Sequence, residues 1–300
     1  MNGFDCLLVK TSPEITLKSS SVRKYFNDKL IKNIKSALRN NSLSGTRIIK
    51  GEGRLYIYAE QEKLRKISSL LGKTFGIFAF AEAKLFSATS LSDVAASVSG
   101  VASEELKKSK TFAVRASFHN EKTFRSKDVE IEAGSMILKT LPHLKVNLSS
   151  PEKTIFAEGK KGKVFVYTSL ISGVAGLPVG CQGNVAVLFD GTEDAVISAW
   201  LMLKRGCSVF PVAAKKDKKT EKQINSLVEW NAGRAFKITP LNEISGLIEK
   251  PDISVKAVVK SNAIFSKEFE REKSKFIIPT YEPLLFFPSE MKKWIWGVLQ

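Results

Sequence analysis

The segment Phe189–Asp194 brings together residue types that could do chemistry at one point of the chain. It follows an apolar run, Val185–Phe189, that is typical of a buried strand, and a helix is predicted over 195–204. The first turn of a helix in this position often holds phosphate, because its free N–H groups and its dipole attract anions. This segment is therefore the first candidate for a nucleotide site.

The residues at this helix start are acidic. Asp190, Glu193 and Asp194 place three carboxylates around Gly191 and Thr192. Like charges ~4–6 Å apart cost on the order of 1 kcal/mol each, so a polyphosphate is repelled. The same carboxylates favour the helix by capping it and by interacting with its dipole. A magnesium ion could bridge them to phosphate, so nucleotide binding is predicted to be weakened rather than excluded.

The cysteines and histidines give little support to metal or sulfur chemistry. Cys6, Cys181 and Cys207 include no closely spaced pair, which disfavours a disulfide framework and indicates a reducing, intracellular compartment. Cys181 and Cys207 are interpreted as inert rather than as sulfur carriers. His119 and His143 stand apart from any set of ligands, so no metal is predicted.

The charge of the chain points to an anionic partner. The net charge is +17, and residues 1–180 carry 29 Lys and Arg against 16 Asp and Glu, whereas residues 181–300 carry 18 against 14. Such an excess is typically used to bind nucleic-acid phosphates through counterion release. The alternative is a lysine-rich solvated surface without a partner. No membrane span or secretory signal is predicted, so a cytoplasmic protein is expected.

The elements that would carry this charge begin with a small α+β domain. Strands are predicted at 4–10, 54–59 and 75–83, with helices at 20–39 and 61–71 between them. This order is that of a ferredoxin-like layer of helices on a sheet. The first helix has apolar residues on one face and lysines and arginines on the other.

A second set of elements follows in the middle of the chain. A helix over 90–108 leads to a strand at 111–117, and a further helix over 126–141 has Ile131 on its apolar face. A hairpin is predicted over 154–169, because a Gly-Lys-Lys-Gly turn separates two alternating runs.

The last part of the chain alternates strands with helices. Strands are predicted at 185–189, 208–213, 235–239 and 255–260, and helices at 195–204, 219–231 and 242–249. This alternation predicts a parallel, doubly wound sheet. The apolar end Trp294–Leu299 is expected to pack on that sheet, with a dimer face as the alternative.

Three motifs occur in a fixed order along the chain. They are Pro13-Glu14-Ile15-Thr16-Leu17-Lys18 with Val22-Arg23-Lys24-Tyr25-Phe26, then Thr111-Phe112-Ala113-Val114-Arg115 with Phe124-Arg125-Ser126-Lys127-Asp128-Val129-Glu130, and finally Gly173-Val174-Ala175-Gly176-Leu177-Pro178-Val179-Gly180. Together they resemble the tRNA thiouridine synthases of the thiamine-biosynthesis ThiI type, over essentially the whole chain.

The resemblance implies three domains and an RNA ligand. It implies a ferredoxin-like domain at 1–75, an RNA-binding THUMP domain at 76–175, whose motif begins as early as residue 62, and a PP-loop ATP-pyrophosphatase-type domain at 176–300. The first two would grip the acceptor region of tRNA. The RNA-contact candidates that follow are Lys18, Arg23, Lys24, Arg115 and Lys127.

The resemblance also implies an ATP loop of the form Ser-Gly-Gly-x-Asp-Ser, and here the sequence departs from the family. At that place it reads Phe189-Asp190-Gly191-Thr192-Glu193-Asp194. The hypothesis is therefore a tRNA-binding protein with a degenerate PP-loop, without catalysis and without a cofactor. Asp128 is predicted to cap a helix rather than to touch RNA.

Two alternatives remain open. The first is an active tRNA sulfurtransferase that uses ATP and Mg²⁺ at an atypical loop. The second is an interaction subunit that complements a separate catalytic chain. A homodimer through the C-terminal domain is compatible with each of these hypotheses.

Overall fold

The computed structural model describes residues 4–51, 53–118, 123–213, 217–261 and 277–300. His119 lies outside these residues. The chain forms two compact units, and each is assembled from separate stretches of sequence. Unit 1 contains the chain up to Lys10, Gly45–Ser68 and Ala79–Ser172; unit 2 contains Thr11–Ser44, Ser69–Phe78 and Gly173–Gln300.

The first part of the chain has ferredoxin-like topology. Its strands are β1 (Cys6–Thr11), β2 (Arg47–Lys50), β3 (Arg54–Tyr58) and β4 (Ile77–Ser87). Its helices are α1 (Pro13–Thr16), α2 (Ser20–Asn40) and α3 (Gln61–Gly72). The strand order is β2-β3-β1-β4, so the β-α-β-β-α-β pattern is complete. The sequence prediction missed β2 and the short α1.

The same sheet continues into the middle of the chain. The elements are α4 (Leu91–Glu105), β5 (Thr111–Phe118), α5 (Ser126–Thr140), β6 (Lys145–Val146), β7 (Lys153–Lys160), β8 (Lys163–Tyr167) and β9 (Ile171–Ser172). Strands follow β4 in the order β8-β7-β5-β6, and the β7–β8 hairpin is confirmed. Helices α4 and α5 pack on buried Val114 and Ile155. Ile131 was predicted to be core but is exposed.

The last part of the chain is a parallel sheet, as predicted. Its elements are β10 (Asn184–Phe189), α6 (Glu193–Lys204), β11 (Ser208–Ala213), α7 (Lys218–Asn225), β12 (Thr239–Pro240), α8 (Ile244–Glu249), β13 (Val255–Val259), β14 (Thr280–Tyr281) and α9 (Ser289–Leu299). The strand order β12-β11-β10-β13-β14 is doubly wound. The order reverses at β10 and β13, and ligands of such sheets bind at the carboxyl ends of strands at that point.

Two predicted elements of this part differ from the structure. The helix predicted over 219–231 ends at Asn225 and continues only as turns. The strand predicted at 235–239 is reduced to β12, where Thr239 and Pro240 pair with Val212 and Ala213. Residues 235–238 form no strand, and Pro240, which has no N–H to donate, ends the pairing on the other side.

The core of unit 2 is aromatic and draws on distant parts of the sequence. The ring of Phe75 lies 5.4 Å from that of Trp200 and 5.6 Å from that of Trp230. Helix α2 belongs to this unit, and the side chain of Asn33 donates a 3.1 Å hydrogen bond to the carbonyl of Val179. The expected packing of the C-terminal helix is confirmed by Ile295, which is fully buried. None of the helices in the described ranges is long and apolar enough to cross a membrane.

Candidate nucleic-acid interface and nucleotide loop

Two of the predicted RNA contacts, Arg115 and Lys127, lie in unit 1. Arg115 is exposed on β5, and its guanidinium donates a 2.5 Å hydrogen bond to the carbonyl of Leu148. Lys127 is exposed on α5 and lies 3.3 Å from a carboxylate oxygen of Glu130. Glu130 also accepts a 3.1 Å hydrogen bond from the backbone N–H of Ala116. Lys127 is thus paired with Glu130 on α5, whereas Arg115 is held by the carbonyl of Leu148.

Asp128 caps helix α5, as predicted. Its carboxylate accepts a 2.7 Å hydrogen bond from the backbone N–H of Arg125, the residue before the helix. A carboxylate in the first turn also interacts favourably with the helix dipole. Asp128 therefore fixes the start of the helix that carries Lys127.

The other three predicted contacts lie in unit 2, where α2 begins. Lys18, Arg23 and Lys24 are exposed. The guanidinium of Arg23 donates a 3.4 Å hydrogen bond to the carbonyl of Thr16, so it reaches back over the turn that carries Lys18. These three cations form one basic group within their own unit.

A buried ion network in unit 1 was not predicted. The carboxylate of Glu158 on β7 lies 3.6 Å from the ammonium of Lys10 and 3.2 Å from the guanidinium of Arg54, and it accepts a 2.7 Å hydrogen bond from the hydroxyl of Tyr167. Its side chain is only 13% exposed. The network joins β1, β3, β7 and β8. Its members are far apart in sequence, so no spacing could reveal it.

Aromatic rings beside this network are covered by basic side chains. The ammonium of Lys160 lies 4.5 Å from the ring centroid of Tyr56, and Arg47 and Lys163 lie 5.5 Å and 5.6 Å from that of Tyr58. Burial raises the pKa of the Tyr56 hydroxyl to about 12. Cations over aromatic faces are attracted by the ring quadrupole.

The loop before α6 is held by its own side chains. One carboxylate oxygen of Asp190 accepts hydrogen bonds from the backbone N–H of Thr192, at 3.0 Å, and from its hydroxyl, at 2.5 Å. The other oxygen accepts a 3.0 Å hydrogen bond from the hydroxyl of Ser261, just after β13. The hydroxyl of Thr192 in turn accepts from the N–H of Ala195 at 3.4 Å.

The remaining groups of the loop also have local partners. Asp194 forms a 2.8 Å ion pair with Lys292 of α9, and the carbonyl of Gly191 accepts a 3.1 Å hydrogen bond from Gln223. Glu193 is exposed. Asp190 therefore binds the residue before the helix and the segment after β13, and three carboxylates lie at or next to a helix start that would otherwise attract phosphate.

The described part of the chain contains no assembled site for metal binding, and its cysteines near the C-terminal sheet are not set up for thiol chemistry. No group of three or more His, Cys, Asp or Glu side chains in it could hold a metal ion. Burial raises the pKa of Cys181 to about 11 and raises that of Cys207. Both thiols therefore stay protonated near neutral pH, which disfavours nucleophilic or sulfur-carrying roles.

Two protein-family models match the first part of the chain. The model of the ThiI ferredoxin-like domain matches residues 6–81, and that of the THUMP domain matches residues 88–169. These matches agree with the topology of the two halves of the nine-stranded sheet.

Curated relatives carry the name tRNA sulfurtransferase. The one from Blochmanniella pennsylvanica is 32% identical over 204 residues, which are 68% of this chain and 42% of the relative. A probable tRNA sulfurtransferase from Methanosarcina acetivorans is 29% identical over 235 residues, which are 74% of this chain and 56% of the relative. The chain thus spans about half the length of these relatives.

Solved structures match over nearly the whole chain. The crystal structure of PH1313 from Pyrococcus horikoshii Ot3 has a TM-score of 0.82 and 27% identity, with 98% of this chain and 99% of that chain covered. A 4-thiouridine synthetase in complex with RNA and ATP has a TM-score of 0.78 and 21% identity, with 99% and 85% covered. The chain is therefore a THUMP-domain protein with a ThiI ferredoxin-like domain, and it resembles the ThiI-type tRNA sulfurtransferases over the part of them that it spans.

Proposed function

We propose that this protein binds tRNA, at the acceptor region, through its ferredoxin-like and THUMP domains. The support comes from the two domain matches, the names of the relatives and the basic excess of residues 1–180. Arg115 and Lys127 in unit 1, and the group around Arg23 in unit 2, supply exposed cations for phosphates. A tRNA-binding protein of this kind would work in the cytoplasm.

We further propose that the protein does not use ATP at the loop before α6. One observation supports this proposal. Asp190 already accepts the hydrogen bonds of Thr192 and Ser261 that a phosphate oxygen would need. The alternative is an active tRNA sulfurtransferase with an atypical loop. The names of the relatives and the ATP in the 4-thiouridine synthetase structure favour that alternative.

Isothermal titration of ATP with Mg²⁺ distinguishes these two functions. The titration is made with the free protein and with its complex with unmodified tRNA. We expect tight tRNA binding and no ATP binding in either state. Micromolar ATP binding in either state would overturn the proposal and make Asp190 a candidate metal ligand. Formation of thiouridine in tRNA by the purified protein would do the same.

We also propose that unit 2 pairs with a second copy of itself. Phe286 is 95% exposed, and Met291 and Trp294 on α9 are about half exposed. Exposed apolar patches of this kind commonly mark protein interfaces. Light scattering of the wild type should give twice the mass of the chain, and Phe286→Ser with Trp294→Ser should give the monomer mass. A monomeric wild type at tens of micromolar would refute the pairing.

A further inference from the structure

A basic cavity in unit 2 lies away from the loop before α6. Its volume is about 400 Å³, and it is lined by α2, by the start of β11 and by the turns after α7. In a parallel sheet the start of β11 is at the opposite edge from the carboxyl ends where Asp190 lies. Cavities of ~300–1,000 Å³ are the usual size of small-molecule sites.

The charge of this cavity has one sign. Lys29, Lys32, Arg234 and Lys237 line it, and no Asp or Glu is among its lining residues in the described part of the chain. The three lysines form no ion pair with any described residue. Burial alone lowers the pKa of Arg234, because water is removed and no carboxylate compensates. Four cations facing one cavity favour an anionic occupant.

A glycine opens the space in front of two of the polar groups. Gly180 has φ +82°, and a Cβ built on it would lie 3.2 Å from the hydroxyl oxygen of Ser208 and 3.7 Å from the ammonium of Lys29. The hydroxyl of Ser208 makes no hydrogen bond to any described residue. A side chain at position 180 would therefore crowd both the Ser208 hydroxyl and the Lys29 ammonium, and glycine leaves these two groups accessible on the same side of the cavity.

Arg234 is held in place for such a contact. Its Nε donates a 3.1 Å hydrogen bond to the carbonyl of Asn231, and the side chain of Asn231 donates a 3.0 Å hydrogen bond back to the carbonyl of Arg234. Asn40 of α2 donates a 2.6 Å hydrogen bond to the carbonyl of Gly233. These bonds occupy Nε and leave the two terminal nitrogens of the guanidinium for a ligand.

The walls of the cavity are partly aromatic. The half-buried rings of Phe210 and Phe236 line it together with Val179 and Val209. A cavity with cations at one place and apolar walls elsewhere suits a phosphate attached to a planar group. We propose that this cavity is a phosphate-binding site for a nucleotide, either free or part of an RNA chain.

The experiment uses the full chain, with AMP and tRNA as separate probes. AMP, adenosine and inorganic phosphate are titrated into the wild type, into the double variant Lys29→Gln/Arg234→Gln, and into Lys35→Gln. Lys35 lies on α2 but does not line the cavity, so it is the matched control. Ser208→Ala provides a second, milder variant that keeps all charges. Circular dichroism checks that each variant is folded.

The two sources of phosphate give different results. If the ligand is a free nucleotide, AMP binds at least tenfold more tightly than adenosine, and the double variant weakens AMP binding tenfold or more. If the phosphate belongs to RNA, AMP does not bind, but the double variant loses at least fivefold more tRNA affinity than Lys35→Gln. No AMP binding together with equal tRNA affinity of the double variant and Lys35→Gln would overturn the site.

Only the tRNA part of this experiment rests on the proposed tRNA-binding function. The AMP titration tests the cavity independently of it. A wild type that does not bind tRNA refutes the proposed function, and the AMP titration then decides the cavity alone. An AMP affinity that is the same in the double variant and in the wild type would show that AMP binds elsewhere.

Discussion

Glu158 is the carboxylate around which the buried ion network of unit 1 is arranged. Two half-buried cations, Lys10 and Arg54, face this single carboxylate. Removing one partner of a largely buried ion network leaves the others without compensation. Burial, together with the nearby charge of Arg54, lowers the pKa of Lys10 even though Glu158 attracts that ammonium.

We expect Glu158→Gln to lower the free energy of unfolding by about 1–3 kcal/mol, because the two cations then lack an anion. Glu104→Gln is the control, since Glu104 forms a 3.1 Å pair with Lys107 that is more than half exposed. Such pairs contribute ~0–1 kcal/mol. Urea denaturation gives both values, and equal midpoints would contradict the role given to Glu158.

Buried acids of unit 1 should make its stability sensitive to alkali. Burial raises the pKa of Cys6 from 9.0 to about 12 and that of Tyr56 from 10.0 to about 12. The unfolded chain loses these protons first, so their contribution to stability is fully present below about pH 9. It is then lost progressively as the pH rises towards 12.

The free energy of unfolding should therefore fall between pH 9 and 12, by up to about 1.4 kcal/mol per pH unit for each group. Cys6→Ala and Tyr56→Phe should each make this decline shallower. Tyr25→Phe is the control, because that side chain is half exposed in the folded protein. Denaturation midpoints at pH 8, 10 and 11 test this, and an unchanged slope in both variants would contradict it.

At the scale of elements, helix α5 carries its capping residue, Asp128, directly next to the candidate RNA contact Lys127. Asp128→Ala should cost about 1 kcal/mol of stability through the lost cap, while tRNA affinity changes less than twofold. Lys127→Gln should instead lower tRNA affinity and leave the stability nearly unchanged. Thermal unfolding and filter binding measure the two effects. Tighter tRNA binding by Asp128→Ala would instead place this carboxylate beside RNA phosphate.

Two variants of Asp190 can separate the effect of its negative charge on ATP binding from the effect of its side chain filling the space before α6. Asp190→Asn keeps a side-chain oxygen that can accept from Thr192 but removes the negative charge, whereas Asp190→Gly removes both. If occupancy of the helix start excludes ATP, only the glycine variant should gain measurable ATP binding. If charge excludes it, both variants should. Titration with ATP and Mg²⁺ checks this, and no gain in either variant would assign the exclusion to another feature.

Elements with strong local patterns were predictable from sequence. Helix α2 was predicted within one residue at its end, and the β7–β8 hairpin was found from its glycine turn. Strand β2 was missed because four residues are too short for a period-2 pattern to stand out. Ile131 was misplaced because an apolar residue at helical spacing can still face solvent.

The candidate site was only partly predictable, because some of its residues come together only when the chain folds. The capping role of Asp128 and the acidic start of α6 follow from local sequence, whereas Arg115 and Lys127 were named as RNA contacts from the family resemblance and stay predictions. The partners Ser261 and Lys292 of that loop lie about 70 and 100 residues away, and only folding brings them to it. The cavity beside α2 has the same origin, because α2 packs with the C-terminal part of the chain in unit 2.

For the whole molecule, the net charge of +17 predicts that tRNA binding is sensitive to salt. The logarithm of affinity should fall linearly with the logarithm of salt concentration, by ~0.7–0.9 for each phosphate contacted. Arg115→Gln should reduce that slope by about one contact, and Lys107→Gln, in the turn after α4, should not. Equal binding of tRNA, duplex DNA and heparin at every salt concentration would remove the claim of tRNA recognition.

The long strand β4 has a consequence for how such proteins are inherited and recombined. The ferredoxin-like match ends at residue 81 and the THUMP match begins at residue 88, so the gap between them falls inside Ile77–Ser87. A genetic crossover at this boundary would cut a strand that pairs with β8 on one side of the junction and with β9 on the other. The ferredoxin-like and THUMP domains should therefore be inherited together. A gene fusion that carries one domain without the other must supply a replacement for β4.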